Sequence, residues 1–187
     1  MGGVQSRTPQ GAEPGPTPAD IETGLSAALT SVTAGARRRA LRDGDRQIDT
    51  AHLLHSLLEY EPRVRAVFDG GPQIARLLGY LVQRSIGYGL QWQGTVEDSG
   101  AVPLVASAKE TVLSPAAAGA MEAALERAVL RGEPQADGVD LLVALAADTE
   151  CRAVEVLRRA GVDVPELLRR IDAEDECGHD SGAGFRA

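Results

Sequence analysis

Between about residue 25 and residue 172, apolar side chains recur three and four positions apart, and the runs are punctuated by capping residues and glycines. That pattern predicts a string of amphipathic helices. Ser26 and Ser114 stand where a hydroxyl can accept from the first amides of a long helix, and Pro115 occupies a first helical position, where its missing N–H costs nothing. Gly44 and Gly132 close these helices, because glycine enters the left-handed conformation of a C-terminal cap without steric penalty. Asp49 and Asp137 then suit the N-cap of a second helix, with Leu53, Leu54 and Leu57, or Leu141, Leu142 and Leu145, on its inner face. A third helix is expected over roughly 62–69 and 150–160, ending at Gly70 and Gly161, and a fourth over about 72–86 and 164–172.

The two sets of helices are copies of one unit. A shift of 88 positions lays residues 25–58 on 113–146 without a gap, and 12 of the 34 pairs are identical where composition alone gives about three. With one residue of slippage Arg63 and Val67 fall opposite Arg152 and Val156. Alanines recur at four-residue spacing, Ala36 and Ala40 in one copy and Ala124 and Ala128 in the other, which lets helix axes approach closely. The expected fold is all-α: two pseudo-symmetric four-helix repeats, eight helices in total. The first repeat spans 23–87 and the second 113–173. Residues 1–22, rich in Pro, Gly and Thr, form an expected disordered leader, 88–112 a linker with the sole Trp92 and sole Lys109, and 174–187 an acidic then Gly-rich tail expected to be disordered.

Composition narrows the function classes. Aromatics are only 3% of the chain, so the core must be aliphatic, and a net charge of -8 opposes the counterion release on which nucleic-acid binding depends. No nucleic-acid partner is expected. No apolar run approaches the roughly 18–20 residues needed to span a bilayer, which excludes a membrane-inserted protein. The start MGGVQSRTPQG lacks a signal-peptide core, and two cysteines, Cys151 and Cys177, cannot build a disulfide scaffold, so a cytoplasmic location is expected. No GxxxxGK[ST] loop exists to hydrolyse ATP, and no Ser-His-Asp or Cys-His arrangement is credible. His52 and His55 lie three apart on one helical face without the paired spacing of a four-ligand zinc site; His52 reads as a hydrogen-bonded structural residue. The expectation is a non-enzyme with no cofactor and no metal.

The duplicated pattern resembles the Clp amino-terminal domain, the doubled four-helix module at the front of ClpC-type and ClpA-type unfoldases. The likeness rests on the opening pairs Leu25-Ser26 and Leu113-Ser114, the Gly-x-x-x-Ile-x-Thr-x-His-Leu-Leu run from Gly44 to Leu54, and the Leu-x-x-x-Gly-Val-Asp ending from Leu157 to Asp163. It covers residues 25–172. The resemblance implies a stand-alone relative lacking the AAA+ ATPase: a non-catalytic module that binds a Clp unfoldase or protease subunit, an adaptor or a substrate peptide. The alternative role is a decoy that sequesters ligands of the unfoldase's own module.

The same resemblance assigns candidate sites. In ClpC-type relatives each repeat holds a phosphoarginine, with the phosphate at the start of the first helix and the guanidinium on a glutamate. Ser26 and Ser114 keep a hydroxyl there, but the glutamate positions carry Ala51 and Val139. Loss of a charge-assisted hydrogen bond of about 1.5–3 kcal/mol weakens such binding by roughly one to two orders of magnitude, so both serines read first as caps. Leu25 and Leu113 take the places of aromatics that line a docking groove in relatives, with Glu122 at its rim; an aliphatic staple on the chain itself competes with that role. Arg38, Arg39 and Arg42 form a candidate docking patch for an acidic partner, although successive arginines point around a helix and cannot all face one ligand.

Overall fold

The computed structural model describes residues 24–85, 97 and 112–180. Eight α-helices lie among them: α1 Ala27–Asp43, α2 Thr50–Tyr60, α3 Pro62–Ala66, α4 Gly71–Ser85, α5 Pro115–Leu130, α6 Gly138–Ala147, α7 Arg152–Arg159 and α8 Val164–Asp180. The fold is all-α, four helices per repeat. Each boundary has a local cause. Ser26 Oγ accepts from the Leu29 N–H at 3.2 Å and Ser114 Oγ from that of Ala117 at 3.1 Å, so both first helices start on the expected cap. Asp49 and Asp137 close capping boxes with His52 and Asp140 at the third helical position. Gly44, Gly70, Gly132 and Gly161 all have φ between 73° and 82°, a conformation that would strain any side chain; Gly44, Gly132 and Gly161 follow helix ends, whereas α3 stops at Ala66, short of the expected 62–69, and Gly70 directly precedes α4.

Within each repeat the first and second helices pack most extensively, α1 on α2 and α5 on α6. Ala36, Ala40, Ala124 and Ala128 are all buried at this seam. With only a methyl group between backbones, little room remains for a longer side chain. Ala124→Leu is expected to lower the unfolding free energy by about 1–3 kcal/mol in urea denaturation.

The repeats are tied together reciprocally. The entry to the second repeat forms β2 Val112–Leu113, which pairs in parallel with β1 Gln47–Ile48 of the first repeat. The entry to the first repeat, Leu25, makes a parallel bridge with Ala136 of the second. These are the same contact twice, since the 88-residue shift carries Leu25 to Leu113 and Ile48 to Ala136. Helix packing follows the same exchange, α2 against α7 and α6 against α3. Helical periodicity carries no signal for two-residue strands, which the sequence pattern missed.

The boundaries depart from expectation at the C-terminal end. Helix α8 continues to Asp180, through the first part of the segment expected as a disordered tail. Two of its acidic side chains share a cationic partner: Arg127 Nη2 lies 3.2 Å from Asp172 and 2.6 Å from Asp175. Within the acidic run, Asp175 is thus tied to α5 through Arg127. The leader, Trp92, Lys109 and residues 181–187 lie outside the described residues. Among the described residues no helix is long and apolar enough to cross a membrane.

Candidate functional site

The N-termini of α2 and α7 meet at the boundary between the repeats, where they present unpaired amides and the positive ends of two helix dipoles. A carboxylate from between the repeats fills that place. Glu97 is 7% exposed, and four donors reach it. Its Oε2 accepts from the Thr50 N–H at 2.9 Å and the Ser114 hydroxyl at 2.8 Å. Its Oε1 accepts from the Thr50 hydroxyl at 2.5 Å and the Arg152 N–H at 2.8 Å. Two donors belong to the first repeat and two to the second, so the carboxylate cross-links the halves. Glutamine has the same size but turns an NH2 group toward donors. Glu97→Gln is expected to cost about 1.5–3 kcal/mol of stability, read as a lower urea midpoint.

A salt bridge flanks this cradle on each side of the pseudo-twofold. Arg152 Nη1 donates to Asp49 Oδ2 at 2.6 Å, and Arg63 Nη1 to Asp137 Oδ2 at 2.7 Å. The partners correspond between copies, Arg63 to Arg152 and Asp49 to Asp137. Their surroundings do not: the Arg152 side chain is 10% exposed and that of Arg63 is 70% exposed. Where Thr50 meets Glu97, its counterpart Gly138 lies against Glu61, whose Cγ is 2.7 Å from where a Cβ on Gly138 would stand. Burial first and the Asp137 carboxylate second push the Glu61 carboxyl above the usual carboxylate range.

Next to the cradle the copies differ in a way that opens a cavity. In the first repeat the Tyr60 ring lies on Gly35, its Cε2 2.6 Å from an ideal Cβ there, with Ser56 Oγ alongside. The 88-residue counterparts of Tyr60, Gly35 and Ser56 are Asp148, Ala123 and Ala144. All three line an open cavity of about 340 Å³ that runs from Thr50 and Pro115 along the Ala116, Gly119 and Ala120 face of α5. The missing ring contributes to the space, as do Ala120 in place of Val32 and Ala147 in place of Glu59.

The sequence-derived candidates fall around this place unevenly. Ser114 is fully buried, caps α5 and donates to Glu97, so its hydroxyl already faces an anion supplied by the chain. Ser26 caps α1. Leu25 is buried against the second repeat and Leu113 is half-buried in β2, while Glu122 is half-buried on α5; none of them lines the cavity. Ala51 is fully buried and Val139 nearly so. The arginines diverge as their helical positions require: Arg38 donates to the Tyr60 hydroxyl at 3.2 Å, Arg39 pairs with Glu59, and Arg42 lies 3.8 Å from Asp43. Glu97 and the cavity were not legible from the repeat, because one lies outside the two matched stretches and the other arises from differences between copies.

Cys151 begins α7 but is no activated thiol. Burial pushes its pKa up to about 11, and Sγ–H points at the Leu145 carbonyl oxygen at 3.3 Å. Cys177 and His179 have no described side chains.

No family model matches the chain, and no curated protein matches it. Solved structures do. One, from preliminary structural investigations of a malarial protein secretion system, is 15% identical with a TM-score of 0.60, covering 82% of this chain and 95% of its own. Another, the N-terminal domain of the caseinolytic protease associated chaperone ClpD from Arabidopsis thaliana, is 16% identical with a TM-score of 0.57, covering 81% and 94%. At these identities the likeness concerns the fold.

Proposed function

We propose that the chain is a non-catalytic protein- or peptide-binding module of the Clp amino-terminal type, serving a Clp unfoldase or protease as an accessory or adaptor-like partner. The observation that supports it best is the open cavity of the second repeat, lined by Ala116, Ala120, Ala123 and Ala144. Ala123 carries a Cβ where Gly35 admits the Tyr60 ring in the first repeat, so this space takes an apolar side chain in a different pose. A partner peptide supplies an apolar side chain there, and its full burial is worth about 1.5–3 kcal/mol. The Clp-like fold supports the unfoldase connection, and the groove candidates Leu25, Leu113 and Glu122 belong to a separate surface of the same module. Glu97 in the cradle at Ser114 speaks against phosphoarginine as the main ligand, as do Ala51 and Val139.

Affinity capture from the native cytoplasm tests this reading. The protein is expected to retain a Clp subunit or a Clp adaptor, and Ala123→Trp, an exposed position at the cavity wall, is expected to lose it. Equal capture by both proteins removes the cavity from the reading; capture without any Clp component removes the Clp role. Charge reversal at Arg38 and Arg42 is expected to leave capture unchanged, because Arg38 is already engaged by Tyr60.

A further inference from the structure

At the C-terminal end of α1 two carboxylates and one imidazole converge. Asp43 is the last residue of α1, Asp45 follows the Gly44 turn, and His52 is the third residue of α2. His52 Nε2 lies 3.2 Å from Asp45 Oδ2 and 3.8 Å from Asp43 Oδ2, and the three atoms are mutually within 4.8 Å. The ring is buried at 2% exposure, and its other nitrogen is held from behind: Nδ1 is 2.9 Å from Asp49 Oδ1. Arg152 fixes Asp49 in turn.

We propose that Asp43, Asp45 and His52 bind a divalent transition-metal ion of the Zn2+ class, with a fourth position left for water.

Three features carry this assignment. First, a tetrahedral ion with ligands at about 2.0–2.2 Å needs ligand-to-ligand edges of about 3.4 Å, and the two measured distances bracket that value. Second, a carboxylate behind the imidazole is the usual outer partner of a metal-bound histidine. In metal-free protein Nδ1 accepts from the Asp49 N–H at 3.2 Å, which leaves the ring proton on Nε2. Metal binding moves that proton to Nδ1, where Asp49 Oδ1 accepts it, and frees the Nε2 lone pair; the Asp49 N–H gives up Nδ1 as its acceptor in exchange. Third, the other copy has a cation at the equivalent place. The counterparts of Asp43 and His52 are Arg131 and Asp140, and Arg131 Nη2 donates to Asp140 Oδ2 at 2.7 Å. The first copy replaces that internal guanidinium with a second acidic group. Arg42 Nε lies 3.8 Å from the other oxygen of Asp43, Oδ1, and a dication adds to that positive charge. Asp45, 26% exposed, gives the site a side open to solvent.

Paired Cys and His spacing carries no sign of this site, because its three ligands are single residues from the end of α1, the turn after it and the start of α2. Its test uses the full chain after treatment with a chelator. Zn2+ titration by calorimetry is expected to show one-to-one binding, and Co2+ is expected to give the intense visible bands of a tetrahedral site. Asp43→Asn and Asp45→Asn should each weaken Zn2+ binding by at least the roughly 10- to 100-fold that loss of an outer partner costs. Circular dichroism establishes that these variants remain folded. The double variant Cys177→Ser, His179→Ala should bind as the parent does. No one-to-one binding by the parent overturns the proposal, as does binding that survives both aspartate changes or disappears with the tail variant.

Discussion

Arg152→Ala is expected to lower the unfolding free energy by about 3–5 kcal/mol, whereas Arg63→Ala, its counterpart in the other copy, is expected to cost less than about 1 kcal/mol. The two arginines make the same bond to corresponding N-cap aspartates, at 2.6 and 2.7 Å. Solvent decides between them. Asp49 is only 2% exposed, so removal of Arg152 leaves a carboxylate in a place where water cannot replace the guanidinium. Asp137 is 23% exposed, and water reaches it once Arg63 is gone. The cost of Arg152→Ala therefore comes from the stranded charge rather than from the worth of the pair. Asp49→Asn in the Arg152→Ala background should recover part of the loss, and a double-mutant cycle in urea measures the coupling. Equal costs for Arg63→Ala and Arg152→Ala would show that burial does not separate them.

Acidification through the histidine range is expected to remove about 3 kcal/mol of stability through His55 alone. Its pKa falls from 6.5 to about 4, first because burial penalises the imidazolium and then because Arg39 lies nearby, with Glu59 opposing. The lowered value fixes the sign. Above pH 6.5 both the folded and unfolded chains hold neutral His55, and its contribution is fully present. As pH falls from 6.5 toward about 4 the unfolded chain takes up a proton that the folded chain refuses, so stability drops; below about 4 both forms are protonated and the loss levels off. Urea midpoints across this range, in buffer containing a chelator, should follow that curve. His55→Leu should flatten the part of the slope that lies between those two values, and an unchanged slope would assign it to other groups.

Much of the fold is legible in the sequence because its signals are local. Ser26, Asp49, Ser114 and Asp137 satisfy amides within three residues of themselves, and Gly44, Gly132 and Gly161 sit where a left-handed residue ends a helix. None of these interactions depends on a distant contact. The likeness between copies is legible for the same reason, since it repeats those signals at a fixed offset. The end of α8 is not, because the charges that hold it, Arg127 with Asp172 and Asp175, are 45 and 48 residues apart.

The sequence by itself determined the helices, their caps, the duplication and the aliphatic core. Only the tertiary structure decided how the copies interlock and what stands between them. It placed Glu97 on donors from both halves, buried Arg152 while exposing Arg63, and left a cavity where the second repeat carries smaller side chains, Asp148 for Tyr60 among them. A cap or a helical stripe is set by neighbours along the chain. Burial of a charge, or the emptiness left by a missing ring, is set by atoms that folding brings together from far apart.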